Sequence, residues 1–512
     1  MPSGVRSMLV PLAWVAGLTA ILLLLFPLGF PNYDTIYALE WGRELAQGMR
    51  PDYGAALPPT PHPLADLFGM ATAPLGDGAI DVTVALAYVA LGLVAYLVYR
   101  LGSLWFDRPI GALAALIVMT RAPYLSNGLR AYVDLPYIAL CLGALVIETR
   151  RQQEPKKDGL GREWMVLALL TLAGLLRPEA WLFSIAYLAY LMLDPGRASR
   201  EEAVGVPSER ADTQNAGLIR PAFVRAGGTP TASAALVLMA LSGPLLWTLF
   251  DWITAGSPVH SFTGTRETVE TLERQTGPVD LVLYGPRRLG EVLQWPGMVG
   301  AAGGIILGLA FLRRRSFVGV AAAALALAAF AVLGSAGLAI IPRYTMLAAA
   351  VLAVFCALAL LGWRLLEQGH PWRRGWQAFA AVVLLLFAVW GPNQYDLLSR
   401  VDTDLTNQGR IEADLEDLAG SGAFRPLCLP ISVPNHRAVP RLAFALEVQP
   451  SSIVSSTQQR QPRSGYFLAP AGDFVVRNFI LDPNDPARPD VPVPPGFRRV
   501  AANKSWLLYR RC

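Results

Sequence analysis

Charged residues are scarce in this 512-residue chain, at 16% against 54% hydrophobic residues. A soluble globular protein carries about 25% charged residues. The deficit sits in long apolar runs, which excludes an ordinary soluble enzyme and points to a polytopic membrane protein. Cysteine is also sparse, with four residues. Cys141 and Cys356 fall inside apolar runs, and Cys428 and Cys512 in a polar tail, so no metal-ligating cysteine pattern is present. If the tail is exported, Cys428 and Cys512 are the pair available to form a disulfide. No P-loop, glycine-rich dinucleotide fingerprint or HExxH motif occurs, so soluble nucleotide chemistry has no support. The net charge of +5 is spread over several loops. Those basic residues read as topology signals rather than nucleic-acid contacts. No fixed-period or inverted repeat is evident.

The apolar runs cover 8–30, 80–99, 109–126, 133–148, 164–176, 179–193, 232–250, 297–312, 316–338, 342–362 and 376–391. They predict about eleven membrane crossings by the usual length criterion. No small-residue cleavage site follows the first run, which is expected to be a retained anchor. Placing the N-terminus inside puts most arginine and lysine clusters (100–108, 150–162, 197–225, 313–315 and 364–374) on the inner side, as the positive-inside rule requires. An odd number of crossings then puts the tail outside. The expected organisation is a transmembrane module over 1–391, with large outer loops at 31–79 and 251–296, and a soluble extracytoplasmic domain over 392–512. The inner loop 194–231 is rich in glycine, proline and charge and is expected to be flexible. Arg266 to Arg274 and Leu281 to Gln294 read as surface helices. In the tail, Ile411–Leu418 and Val439–Leu446 read as helices, and Leu427–Val433 and Trp506–Arg510 as strands, giving a small α/β domain.

Residues 164–193 form an apolar stretch interrupted by Arg177-Pro178-Glu179. Each half spans roughly 20–22 Å as helix, short of a core of about 30 Å. Both flanks are basic, so a hairpin with an outward tip is expected rather than one kinked helix. The pair 109–148 repeats the arrangement, with Ser126, Asn127, Arg130 and Asp134 near its tip. Charged groups at such depth are tolerated when they face a polar cavity.

The loop after the first run reads Asn32-Tyr33-Asp34-Thr35-Ile36-Tyr37 and ends in Pro61-His62-Pro63-Leu64. Asp34 lies where the chain leaves the bilayer, a position suited to chemistry on a membrane-bound substrate. It also precedes an amphipathic segment, Ile36 to Gln47, closed by Gly48, so it is a candidate N-cap. Asp134 has a competing role as an interhelix hydrogen-bond partner, and Arg177 and Glu179 as helix-end charges. Arg343 could equally be an interfacial anchor, and His62 a loop residue held extended by its prolines. Glu40 and Glu44 are i,i+4 carboxylates, but nothing else in the sequence specifies a metal site.

The ordered set Asp34, Pro61-His62-Pro63-Leu64, Arg130 to Pro136, Gly174 to Trp181 and Ile341-Pro342-Arg343-Tyr344 resembles the GT-C superfamily of membrane glycosyltransferases. The resemblance covers most of segments 8–362 and is strongest to the protein O-mannosyltransferase and aminoarabinose transferase group. It implies a mainly α, polytopic fold, a polyprenyl-phosphate sugar donor, an outer-face site and a catalytic acidic residue in the first outer loop. Asp34 matches that position, and Asp134, Arg177, Glu179, Arg343, Tyr344 and His62 become the expected substrate-binding residues. Two departures stand out: Thr35 follows Asp34 where many relatives have a second acid, and Leu64 stands where many have proline. No cofactor is certain. Some relatives use a divalent metal and others do not, so metal dependence stays open.

The expected activity is sugar transfer from a polyprenyl-phosphate donor to an extracytoplasmic glycan, lipid or protein hydroxyl, with inversion by single displacement. Membrane lipids are the other expected partners. The competing readings are a transporter or flippase of lipid-linked sugars and a non-catalytic envelope scaffold. A transporter favours polar groups at the midplane and repeat symmetry, whereas the candidates here gather near one face.

Overall fold

A computed structural model describes residues 3–153, 161–193, 230–480 and 492–512. The expected loop 194–231 lies almost wholly outside the described residues, as do Lys156 and Lys157. Every one of the apolar runs is helical: α1 (Ser3–Leu25), α4 (Gly78–Trp105), α5 (Arg108–Met119) with α6 (Ala122–Leu129), α7 (Asp134–Gln153), α8 (Gly161–Gly174), α9 (Glu179–Leu193), α10 (Pro230–Ala255), α12 (Pro278–Phe311), α13 (Arg313–Ser335), α14 (Met346–Leu361) and α15 (Arg373–Gly420). Between them lie α2 (Tyr33–Ala46), α3 (Pro63–Thr72) and α11 (His260–Thr271). The chain is a mainly α, multi-pass membrane protein.

Helix length separates these segments into two kinds. Among the described residues, 6 helices are long and apolar enough to cross a bilayer, or 7 if α5 and α6 form one span bent by 65°. That is fewer than the crossings expected from apolar runs alone. The remaining runs differ in kind: α8 and α9 have only 14 and 15 residues, the apolar part of α1 is Val10–Leu25, and α7 has 20 residues but is charged at both ends. Helices α8 and α9 are separate and packed on each other across residues 175–178, with Arg177 at the junction. Neither alone matches a core of about 30 Å.

At the centre of the bundle is α14, buried along nearly its whole length and packed against α12 and α5. Its apolar surface needs neighbours without bulk. A Cβ on Gly304 of α12 would come 1.9 Å from the Phe355 carbonyl oxygen, so only glycine allows that approach. The cavity-side pair α2 and α3 uses the same device. A Cβ on Gly42 would meet the Gly69 backbone at 2.3 Å.

The tail differs from expectation at its start. Helix α15 continues through Pro392 to Gly420, absorbing the expected helix 411–418. Beyond it, β1 (Ile431–Val433), β2 (Ile453–Ser455), β3 (Gly465–Pro470), β4 (Arg498–Ala502) and β5 (Trp506–Arg511) form one sheet in the order β2-β1-β3-β5-β4. β1 runs parallel to β2 and β3, whereas β5 is antiparallel to β3 and β4. Strand β1 is shorter than expected because Pro430 has no N–H for the ladder. Helix α16 (Val439–Leu446) lies where the sequence put it and packs on α15 and α2.

Cys428 and Cys512 form a disulfide across 84 residues. Closing so long a loop restricts the unfolded tail, an effect on the order of 4 kcal/mol. Cys428→Ser should therefore lower the unfolding midpoint of the tail by about 10 °C or more, read by thermal scans in detergent. Reductant should shift the wild type by a similar amount and leave the variant unmoved. Equal midpoints for variant and wild type would contradict this.

Candidate active site

Helix α2 starts earlier than the sequence suggested, at Tyr33. Its cap is Asn32, whose Oδ1 accepts from the backbone N–H of Asp34 at 2.7 Å and of Thr35 at 3.3 Å. The capping role considered for Asp34 thus falls to Asn32, and the Asp34 carboxylate is free to point elsewhere. The same asparagine binds α2 to the neighbouring hairpin tip. Its N–H and its Nδ2 each donate to the Arg130 carbonyl at 2.8 Å, and Thr35 Oγ1 donates to the Ala131 carbonyl at 2.7 Å. Ala131 holds a positive φ of 52°, which turns the chain between Arg130 and Tyr132.

The Asp34 carboxylate meets Arg343. Arg343 Nη1 donates to Asp34 Oδ2 at 3.0 Å, joining residues 309 apart in sequence. Arg343 sits in a short 3-10 turn, Pro342–Thr345, immediately before α14. Its Nε is buried and has no hydrogen-bond partner. The guanidinium lies 5.5 Å from the Tyr344 ring and 5.6 Å from the Tyr132 ring.

A second ion cluster lies beside the first. Arg177 donates through Nη2 to Glu179 Oε1 at 2.6 Å, through Nε to the same oxygen at 3.1 Å, and through Nη1 to Asp134 Oδ1. The Tyr344 ring covers Arg177 at 4.2 Å, so this tyrosine lies beside both arginines. Asp134 opens α7 and Glu179 opens α9, where helix N-termini favour negative charge. The helix-end role foreseen for these residues therefore coexists with ion pairing across the hairpins. Asp134 Oδ2 and Glu179 Oε2 are buried without partners.

His62 is the residue before the first turn of α3, between two prolines, and makes no side-chain cap. Its ring meets Trp247 edge-on at 5.9 Å, and its Nδ1 is buried without a partner. Burial, with Arg177 and Arg343 adding to it against the opposing pull of Asp34 and Asp134, depresses the imidazolium to about 4. The folded pKa lies below the ordinary value near 6.5, so the neutral ring is the form the fold favours. Its contribution is full above about 6.5 and is lost as pH falls from there through about 4. Histidine-labelled protein should show a His62 resonance that does not titrate between pH 5 and 8, assigned by its loss in His62→Gln. A midpoint near 6.5 would contradict the burial.

Asp34, His62, Asp134, Arg177, Glu179, Arg343 and Tyr344 all line one cavity of about 1520 Å³. It lies where the cavity-side ends of α6, α7, α9, α10, α13 and α14 meet. The cavity also has a wall that the sequence reading did not include. Gln408 and Glu412 of α15, together with His436, Arg437 and Arg441 of the tail, line it too. Arg441 donates through Nε to Glu412 Oε2 at 2.7 Å and also bonds Glu416, fastening the sheet region to α15. The tail reaches the loop after α1 as well. Arg43 Nη1 donates to the Phe444 carbonyl at 3.0 Å, and the Ser451 N–H donates to Asp52 Oδ2 at 2.7 Å. The only forewarning in the sequence was the density of arginine, histidine and carboxylate in 408–441, which no spacing rule connects to Asp34.

The donor set for a metal is poor. Glu40 is paired with Arg43 at 2.7 Å, and Glu44 accepts from the Asp52 N–H at 2.6 Å. Burial pushes both carboxyls up to about 7. Among the described residues, no three His, Cys, Asp or Glu side chains are grouped as metal ligands.

Comparison with solved structures gives the same architecture over nearly the whole chain. ArnT from Cupriavidus metallidurans bound to undecaprenyl phosphate matches with a TM-score of 0.52 at 14% identity, covering 99% of this chain and 98% of that one. Its apo form matches with a TM-score of 0.50 at 14% identity over the same shares. The apo oligosaccharyltransferase of Archaeoglobus fulgidus matches with a TM-score of 0.51 at 13% identity, covering 90% of this chain and 69% of that one. These likenesses show a shared fold. No family model and no curated protein sequence matches.

Proposed function

We propose that the protein is a membrane glycosyltransferase that moves a sugar from a polyprenyl-phosphate carrier to an acceptor hydroxyl. The observation that carries this reading is the Asp34–Arg343 pair, a carboxylate and a cation with a spare buried donor, facing one large cavity. ArnT, which shares the fold, is bound to undecaprenyl phosphate in its structure. The proposed organisation is a transmembrane module over 1–391 and a soluble extracytoplasmic domain over 392–512, with the N-terminus cytoplasmic and the site open to the outer side.

A sugar on a lipid phosphate already has a good leaving group, so no strong general acid is required. Asp34 takes the acceptor proton as the acceptor oxygen bonds to the anomeric carbon. The bond from that carbon to the phosphate oxygen breaks, and its electron pair leaves with the polyprenyl phosphate. Attack opposite the leaving group inverts the anomeric centre through an oxocarbenium-like transition state. Arg343 suits the phosphate, because its planar fork can make two parallel bonds to phosphate oxygens. Moving from Asp34 to the phosphate, it would release the carboxylate to act as base when the donor arrives. Arg177 already serves two carboxylates, which makes Arg343 the better phosphate ligand. Arg177, Asp134 and Glu179 form the cavity floor, Tyr344 offers a ring for the sugar, and neutral His62 offers a hydrogen bond to its hydroxyls.

The deciding experiment gives purified protein radiolabelled polyprenyl-phosphate sugars with envelope extract. Label on a new acceptor, with free polyprenyl phosphate released, supports transfer. Directional movement of the intact lipid-linked sugar without bond cleavage would instead make the protein a transporter. Arg343→Ala should lower kcat/KM for the donor about 10–100-fold, the loss of one or two charge-assisted bonds. Arg343→Lys should fall between, keeping charge but not the fork. Unchanged kcat/KM in Arg343→Ala would remove this residue from the phosphate.

A further inference from the structure

Another buried cation, Arg121, lies outside the cavity lining. Arg121 occupies the 65° bend between α5 and α6 and is 4% exposed. Its Nε donates to the Ile117 carbonyl at 3.2 Å and its Nη2 to Thr120 Oγ1 at 3.1 Å, both neutral acceptors. Phe387 of α15 lies 5.9 Å from the guanidinium. Among the described residues it makes no salt bridge. Nη1 makes no protein hydrogen bond and keeps a small accessible surface. Guanidinium stays charged at any ordinary pH, and a buried charge without a counter-charge is unfavourable in a low-dielectric setting. The fold keeps one here nonetheless.

The surroundings describe what would complete it. Arg121 is the residue before the first turn of α6, an eight-residue helix whose N-terminal end adds partial positive charge at the same place. Across the crevice, Gln394 Nε2 donates to the Thr120 carbonyl at 2.6 Å, while Gln394 Oε1 is buried with no donor. The site therefore offers a cation, a helix N-terminus and one free acceptor. Its flanks are lipid-facing: Leu116, Leu385 and Val389 are all exposed. Its height is also defined. Phe387 and Gln394 lie about 21 Å and 32 Å along α15 from Arg373 at ~1.5 Å per residue, against a hydrocarbon core of about 30 Å. Phe387 thus lies inside the core and Gln394 at its edge, so the site runs from the acyl region up to headgroup level, on the cavity side of the membrane, since α6 carries Ser126 and Asn127 into the cavity wall.

We propose that Arg121, the start of α6 and Gln394 form a lipid site for the phosphodiester of an anionic phospholipid from the cavity-side leaflet, with Gln394 Oε1 accepting from a headgroup hydroxyl. Phosphatidylglycerol has both groups, whereas phosphatidylcholine has no headgroup donor and no net charge. Occupancy fixes the start of α6, and through it the cavity wall at Ser126 and Asn127. The site is independent of whether the cavity performs sugar transfer.

The test uses the full chain in detergent, with phosphatidylglycerol, phosphatidylcholine and inorganic phosphate added in turn. Phosphatidylglycerol should raise the unfolding midpoint by several degrees and remain bound in native mass spectra. Phosphatidylcholine should do so less, and inorganic phosphate not at all. Arg121→Gln should weaken phosphatidylglycerol binding about tenfold or more, the loss of a charge-assisted contact, while Arg343→Ala should leave it unchanged. Equal binding by Arg121→Gln, equal effects of the two lipids, a shift from inorganic phosphate alone, or loss of binding in Arg343→Ala would each overturn the proposal. Should Arg121→Gln fail to fold, a photoactivatable phosphatidylglycerol on the wild type decides. Adducts within 112–130 or 384–398 support the site, and adducts confined elsewhere overturn it.

Discussion

Asp34→Asn should abolish most sugar transfer, lowering kcat about 10²–10⁴-fold, the usual worth of a positioned general base. Asparagine matches the carboxylate in size and keeps an oxygen to accept from Arg343, so the pair at 3.0 Å survives as a neutral hydrogen bond. The helix is unaffected, because Asn32 and not Asp34 caps α2. Donor binding should therefore persist while the chemical step fails, and single-turnover kinetics with labelled donor separate the two. Folding is checked by an unfolding midpoint within about a degree of wild type, as expected for an isosteric change that leaves the cap intact. Transfer at the wild-type rate in a folded Asp34→Asn protein would remove Asp34 from the mechanism.

The largest stability effect is expected at Arg177. Its guanidinium is shared by Asp134 and Glu179, and all three are buried. Removing one member of a buried ion cluster leaves the others uncompensated, typically at 3–5 kcal/mol. Arg177→Met keeps the bulk of the stem but leaves two carboxylates facing each other beneath Tyr344. The unfolding midpoint in detergent should drop by several degrees. Adding Asp134→Asn and Glu179→Gln should recover much of the loss, because the buried charge is then gone. A triple variant no more stable than Arg177→Met would show that packing around the stem, not charge, holds the junction. The same series reports on function, since α8, α9 and α7 position their cavity residues through this cluster.

The fold was largely legible in the residues. Hydrophobic run length is a local property, so all the apolar segments could be found and each is helical. Local chemistry also placed α16 and the tips of the hairpins. Less visible were the places where a local rule had competing outcomes. Asp34 fitted the N-cap position by residue type, but Asn32 begins the helix earlier and takes the role. The apolar run 376–391 was expected to give way to a separate tail, yet α15 runs on through Pro392 to Gly420. One missing N–H did not end a helix held by packing on both sides of it. The break in α12 was legible: Gln294, with a φ of 64°, parts the expected surface helix 281–294 from the membrane segment that follows it.

By itself the sequence determined that this is a polytopic membrane protein, and it singled out acidic and basic residues that line one cavity. Only the tertiary structure decided which of them meet. Asp34 finds Arg343, Arg177 binds both Asp134 and Glu179, and the tail completes the cavity wall with His436 and Arg437. The reason is physical. Burial of apolar helices is encoded in stretches of neighbouring residues, whereas an ion pair between residues 309 positions apart depends on how those helices pack, which no local pattern records.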